Sequence, residues 1–341
     1  MANTKVLLTG FGGPERLQLV TEPDLPQPGP SEVRVQVLAA SASFTDVMIR
    51  KGLYPEVKAR PPFALGYDMV GRVDAAGPGA GRFAPGQMVA DLTVIGAQAE
   101  YLCLPEDRLT AVPDGLDPAQ AVACVLSFVT PWQMLHRVAR ARAGQSLLIH
   151  GAGGAVGTAM LQLARLAGLR AVGTDRPEKH QLIEDLGGVA VDRAPDGLAA
   201  RLRAEAGEGF DMVFDPIGGA SFRRSLDLLR PGGILVAFGF LDATLGRGGG
   251  VAWDFLRIKL WNLLPNRRAT AFYSIGAMRK RHPDWFRDDL AAIFGLLAED
   301  KIRPVIADIL PLAQARAAHD RIEAGGVAGK IVLVTPAYGA A

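Results

Sequence analysis

Residues 150–157, HGAGGAVG, stand between the apolar run SLLI of 146–149 and the helix-forming TAMLQLARLAG of 158–168. A glycine-rich turn between a buried strand and a helix lets the backbone approach a pyrophosphate closely. It also aims the helix's unpaired N–H groups and positive dipole end at that anion. Gly151, Gly153, Gly154 and Gly157 give G-x-G-G-x-x-G, one residue longer before the final glycine than G-x-G-x-x-G. A tight turn alone would account for such glycines, so the context decides. A second apolar run, RAVGTD at 170–175, ends on Asp175, 18 residues past Gly157, where an acidic side chain would meet a ribose. The stretch is therefore expected to cradle a dinucleotide with the backbone of Gly151, Gly153, Gly154, Ala155, Val156 and Gly157.

Outward from the turn, the chain changes style near residue 124. Before it come short β-rich runs separated by Pro and Gly, such as SEVRVQVLAAS, MVGRVDAAG and QAEYLCLP, which predict an all-β module. From 124 to about 275, apolar strands (QSLLIHG, RAVGTD, VAVDR, DMVFDPIG, GILVAFG, ATAFYSI) alternate with amphipathic helices. That alternation predicts a doubly wound, Rossmann-type parallel sheet, and the fold class is α/β. A long helix, PDWFRDDLAAIFGLLAEDKI, then leads to a last strand, KIVLVTP, expected to rejoin the first module. The segment 241–266, a Gly-rich loop followed by VAWDFLRIKLWNLLPN, reads as a connector and packed helix, or else as a pocket lid or dimer contact.

The 341 residues are long enough for two buried domains, and about half are apolar (49%). Charges nearly cancel, 37 Lys and Arg against 35 Asp and Glu, so no basic field for nucleic acid or anionic lipid is expected. No apolar run reaches the roughly 18 residues of a membrane span, and no secretory leader is visible. With only Cys103 and Cys124 there is no disulfide framework, and the expected location is the cytoplasm.

At this point the sequence resembles the zinc-independent quinone oxidoreductase branch of the medium-chain dehydrogenase/reductase superfamily. The signposts are ASFTDVMIRKGLYP at 42–55, PFALGYDMVGRV at 62–73, HGAGGAVGTAMLQLARLAG at 150–168, DPIGG at 215–219 and GKIVLV at 329–334. The resemblance implies a GroES-like β-domain built from 1–123 and 276–341, a Rossmann domain over 124–275, and a nicotinamide in the cleft. It also implies that Ser43 and Tyr67 occupy the positions where zinc alcohol dehydrogenases carry a cysteine and a histidine ligand. The third ligand position falls near Leu126, and the cysteine-rich lobe for structural zinc is missing. A catalytic zinc needs three side-chain ligands, so no metal is expected, and Cys124 reads as a core thiol.

Without a Lewis acid the acceptor must take hydride readily. The resemblance implies transfer from a nicotinamide to a quinone or to the β-carbon of an α,β-unsaturated carbonyl, with a donor for the developing negative charge. Tyr54 matches a tyrosine that related enoyl reductases place near the substrate. Either Tyr54 or Tyr67 is a candidate donor, and either is equally read as aromatic lining. Ser43 and Asp68 replace an asparagine and a glutamate common in the branch, while Asp46 fits a carboxylate that organises the turn. Ser43, Asp46 and Tyr67 are the expected substrate-side residues. Thr130, at a helix start before Pro131, matches a threonine on the nicotinamide side. Phe238 and Gly239 end the strand GILVAFG, at the edge where doubly wound sheets meet ligands.

Cofactor choice is written into GTDRPEKH. Asp175 argues for NADH, whereas Arg176 and Lys179, with Thr174 beside them, would attract a 2′-phosphate. The resemblance implies NADPH for many members, and NADPH is the expectation, with NADH as the alternative. Two other readings stay open: an enoyl-thioester reductase on lipid-like or polyketide-like chains, and an NADPH-binding regulatory or membrane-peripheral protein with little turnover. The strand RATAFYSI, at a sheet edge by resemblance, suggests a homodimer.

Overall fold

The computed structural model describes residues 2–244, 246, 250–263, 265 and 267–340. The chain divides into two compact units, Met1–Val129 with Asp284–Ala341, and Thr130–Pro283. In the first unit the strands are β1 (Asn3–Leu8), β2 (Leu17–Glu22), β3 (Glu32–Ala42), β4 (Phe63–Ala64), β5 (Met69–Ala76), β6 (Met88–Asp91), β7 (Tyr101–Pro105) and β8 (Thr110–Ala111). The second unit holds β9 (Ser146–His150), β10 (Arg170–Asp175), β11 (Val189–Asp192), β12 (Phe210–Asp215), β13 (Leu229–Ala237) and β14 (Ala269–Phe272). The chain then returns to the first unit with β15 (Ile306–Pro311) and β16 (Lys330–Val334).

In the first unit, β3 is the strand on which the others are built. Its first half alternates, with Val33, Val35 and Val37 turned into a core shared with Met69, Val73, Val89 and Leu104. It pairs antiparallel with β5, β7 and β16, so the late strand KIVLV completes a sheet begun near residue 32. A separate three-stranded sheet has the order β2-β1-β4. The helix Pro118–Val125 packs on β3, β5 and β16, which carries the first unit to Val129, past the change of style at 124. At the other end the helix Ile275–Arg281 stays with the second unit.

The second unit is one six-stranded parallel sheet of order β11-β10-β9-β12-β13-β14. Its strands read as continuous apolar runs because helices cover both faces, and every residue of β12 is buried. The order reverses between β9 and β12, the topological switch point at which such sheets take ligands. Thr130 stands at a helix start, as expected, in the helix Val129–Gln133, which passes into a π-helical stretch, Met134–Val138. Pro131 has no N–H to give the preceding turn, so the helix that ends at Val125 cannot run through it.

The segment 241–266 forms a helix, Val251–Trp261, whose Ile258 and Trp261 join the sheet's core. Leu245, Arg247, Gly248, Gly249, Leu264 and Asn266 lie outside the described residues. Among the described residues no helix is long and apolar enough to cross a membrane.

The helix Phe44–Arg50, which holds Asp46 and is capped by Ser43, is anchored by a buried cation. Arg50 is fully buried; its Nη1 donates to the Gly12 carbonyl at 2.6 Å and its Nη2 pairs with Glu323 of the helix Ala315–Ala324. Arg50→Met removes one partner of this pair. It is expected to cost about 3 kcal/mol, the low end for breaking a buried pair, because Lys51 still neutralises Glu323. Urea unfolding checks this, and an unchanged midpoint would make the pair incidental.

Candidate functional site

Two groups of candidate residues are laid out, one in each unit. In the second, the turn after β9 is held by backbone bonds to the neighbouring strand. Gly151 N–H and Ala152 N–H both donate to the Thr174 carbonyl, at 2.9 and 3.0 Å. Gly151 has a φ of +74°, which favours glycine. A Cβ on Gly157 would lie 2.5 Å from the Ala152 Cα and the Gly151 oxygen, so only glycine allows the helix this close to the turn. That helix, Ala155–Leu166, starts at Gly154 with no side-chain cap and no acidic residue in its first turn. Its N–H groups and positive end are left for an anion.

Around this turn the structure assigns the polar residues different tasks. Asp175 is buried, and its carboxylate already accepts from Gly153 N–H at 2.9 Å and from Arg176 N–H at 2.8 Å. The Thr174 hydroxyl turns inward to His150 Nδ1 at 3.0 Å. Lys179 Nζ stands 4.0 Å from Asp175, and the Lys179 side chain fills the space where a Cβ on Gly153 would go. Burial lowers the Lys179 ammonium's pKa, against the pull of Asp175, and Arg193 and Arg176 lower it further. Arg176 and Arg193 are exposed at the same strand ends, and Arg193 N–H donates to the Asp175 carbonyl at 3.0 Å. Phe238 follows β13, its N–H on the Asp215 carbonyl at 3.1 Å, and Gly239 packs against the backbone of Pro216. Thus Gly151, Asp175 and Phe238 all lie at the carboxyl edge of one parallel sheet, while Thr130 is buried in its short helix.

Beneath the turn lies a polar network that spacing alone did not single out. His150 Nε2 meets Ser225 Oγ at 3.1 Å, and Ser225 and Ser221 each donate to Asp215 Oδ2 at 2.7 Å. All four are buried, and burial lowers the His150 pKa against the attraction of Asp215. The network laces the ends of β9, β10 and β12 together. Its only sequence signal was the position of His150 and Asp215 at strand ends.

In the first unit, Ser43 caps the helix Phe44–Arg50. Its N–H and hydroxyl donate to Asp46 Oδ2, at 2.9 and 2.6 Å, in a capping box that makes Asp46 a turn-organising carboxylate. Asp46 Oδ1 is buried without a hydrogen-bond partner, and Asp68 Oδ2 and Lys330 Nζ, likewise buried without hydrogen bonds, form an ion pair at 3.6 Å. Ser41 donates to the other oxygen of Asp68. Tyr54 and Tyr67 meet hydroxyl to hydroxyl at 2.6 Å with their rings edge to face. Burial pushes both phenols well up, so each keeps its proton. It likewise pushes up the Cys124 thiol. Among the described residues no three His, Cys, Asp or Glu side chains come together as a metal-holding group.

Burial also carries the Asp46 carboxyl up to about 7, opposed by the Ser43 hydroxyl and reinforced by Asp68. The folded protein therefore holds this proton over a range, about 4 to 7, in which the unfolded chain releases it, and Asp46 makes the fold less stable as pH rises through that window. Asp46→Asn stays neutral and keeps an acceptor for Ser43. Melting midpoints of wild type and variant are expected to converge near pH 4, with the wild type falling behind by pH 8. A constant difference across that range would contradict this account.

Comparison with known proteins agrees with this architecture. A family described as alcohol dehydrogenase GroES-like domain matches residues 29–114, and one described as zinc-binding dehydrogenase matches 189–333. A quinone oxidoreductase of Pseudomonas aeruginosa is 32% identical over 97% of this chain and 99% of its own length. A mycocerosic acid synthase-like polyketide synthase of Mycobacterium tuberculosis is 34% identical over 92% of this chain, which spans 14% of that much longer protein. The crystal structure of Escherichia coli quinone oxidoreductase complexed with NADPH is 26% identical, with a TM-score of 0.86 over 97% of this chain and 99% of that one. The chain belongs to the medium-chain dehydrogenase/reductase superfamily, in its quinone oxidoreductase branch.

Proposed function

We propose that the protein passes hydride from NADPH to a quinone or an α,β-unsaturated carbonyl, without a metal. The observation that carries this reading is the turn 151–157. Its glycines let the helix close tightly on the turn, and that helix starts uncapped and free of acidic side chains, with its N–H groups left for an anion. The nicotinamide would supply hydride from its C4 position. In this chain the backbone of 151–157 would hold the phosphates, and Arg176 and Lys179, joined by Arg193, would attract a 2′-phosphate. Asp175, occupied by two backbone donors, would fix the turn more than it reads a ribose. The relative solved with NADPH supports the same choice.

Hydroxyl chemistry at positions 43 and 67 supports the metal-free part. Ser43 is spent on Asp46 and Tyr67 on Tyr54, and neither is a zinc ligand. The polyketide synthase relative supports a second reading of the acceptor, an enoyl thioester. We also propose a homodimer, because β14 is the edge strand of its sheet and an open edge asks for a partner.

Reduced-cofactor oxidation against 1,4-benzoquinone, 2-hexenal and an enoyl thioester tests the reading. Turnover is expected with NADPH in preference to NADH, and tight NADPH binding with no oxidation by any acceptor would leave a binding protein instead. Lys179→Ala should raise the Kd for NADPH on the order of tenfold, the value of one charge-assisted hydrogen bond, and change that for NADH much less. Equal losses in a fluorescence titration would remove Lys179 from the 2′-phosphate. Activity should survive dialysis against a strong chelator, and its loss with recovery on adding zinc would overturn the metal-free proposal.

A further inference from the structure

The Tyr54–Tyr67 pair holds two phenolic protons and one shared contact. Both phenols stay neutral because burial disfavours their anions, so one proton lies in the 2.6 Å bond and the other must point elsewhere. Which proton is free follows from burial. Tyr67 is completely buried, and among the described residues its hydroxyl is hydrogen-bonded to Tyr54 alone; Tyr54 is partly exposed. If Tyr54 donated, the Tyr67 proton would be sealed in the interior without an acceptor, the arrangement buried polar groups avoid. If Tyr67 donates, its buried hydroxyl is satisfied and the unshared proton belongs to the partly exposed Tyr54.

We propose that Tyr67 is a positioning residue that turns the Tyr54 O–H outward as a proton donor, and that this pair suits the enzyme to activated alkenes over quinones. The proposal rests on the oxidoreductase reading above and names its acceptor class.

The chemistry separates the two acceptors. When hydride reaches the β-carbon of an enal, a C–H bond forms there and the alkene π pair moves toward the carbonyl as an enolate. Reduction is complete only when a proton reaches the enolate. Tyr54 supplies it, its O–H bond breaking, and the resulting phenolate is the anion that the Tyr67 O–H stabilises. Tyr54 is then reprotonated from solvent on its exposed side. A quinone gives an aromatic hydroquinone anion, a weak base that takes its proton from water and asks little of a positioned donor.

The experiment uses the full chain with NADPH, comparing 2-hexenal with 1,4-benzoquinone in wild type, Tyr67→Phe, Tyr54→Phe and the double variant. In Tyr67→Phe the ratio of kcat for the enal to kcat for the quinone should fall on the order of tenfold, with the KM for the enal within about twofold. The solvent deuterium isotope effect on enal reduction should rise as protonation becomes limiting. Adding Tyr67→Phe to Tyr54→Phe should change the ratio no further, since Tyr67 acts through Tyr54. A ratio unmoved in Tyr67→Phe, equal losses for both acceptors, or additive effects in the double variant would overturn the proposal. If Tyr67→Phe does not fold by circular dichroism, Tyr67→Met and Tyr67→His replace it, and the ratio should fall in the first and be partly kept in the second. Wild-type turnover that ignores these changes defeats the pair alone. A wild type that binds no NADPH and reduces neither acceptor defeats the oxidoreductase reading as well.

Discussion

The second unit depends on the missing side chain at Gly157. Because no Cβ stands there, the helix Ala155–Leu166 reaches within contact of Ala152 and of the Gly151 carbonyl. The turn is then short enough for Gly151 and Ala152 to bond across to Thr174 and for Gly153 to bond to Asp175. The same crowding recurs on the neighbouring strand, where a Cβ on Gly173 would meet that of Ala152 at 2.5 Å. One close approach thus fixes the first strand, the second strand and the helix start as a single rigid corner. Under that corner, His150, Ser225 and Asp215 bond the third of the joined strands to it.

Much of this was legible in the sequence because strand and helix periods are strong where burial is strong. All six strands of the parallel sheet were visible as apolar runs, and the return of KIVLV to the first module was visible as a late, isolated strand. The short strands β4 and β8, two residues each, have no period to recognise.

Side-chain tasks were harder to read than positions. Thr174 and Asp175 stand at the strand end that spacing indicated, but their polar atoms are used within the protein, on His150 and on the turn. Proximity in sequence to a ligand site does not say which way a hydroxyl faces; the partners across the sheet decide it. The Tyr54–Tyr67 contact joins residues 13 apart with only the two-residue strand β4 between them, so no periodicity could have announced it. Conversely, the capping box of Ser43 and Asp46 is local, and the reading of Asp46 as a turn carboxylate came from the family resemblance around it rather than from the spacing that forms the cap.

The topology of β3 also sets an order of assembly. Its partner β16 lies about 290 residues further along the chain, whereas every strand of the second unit is contained between residues 146 and 272. During synthesis the parallel sheet has all its strands available while the first unit still lacks two, β15 and β16. Until residue 334 emerges, β3 presents the open edge opposite β16 along Ala39–Ala42, in a segment of small residues with little side-chain bulk to protect it. The N-terminal half of this chain is made first and can be finished only last.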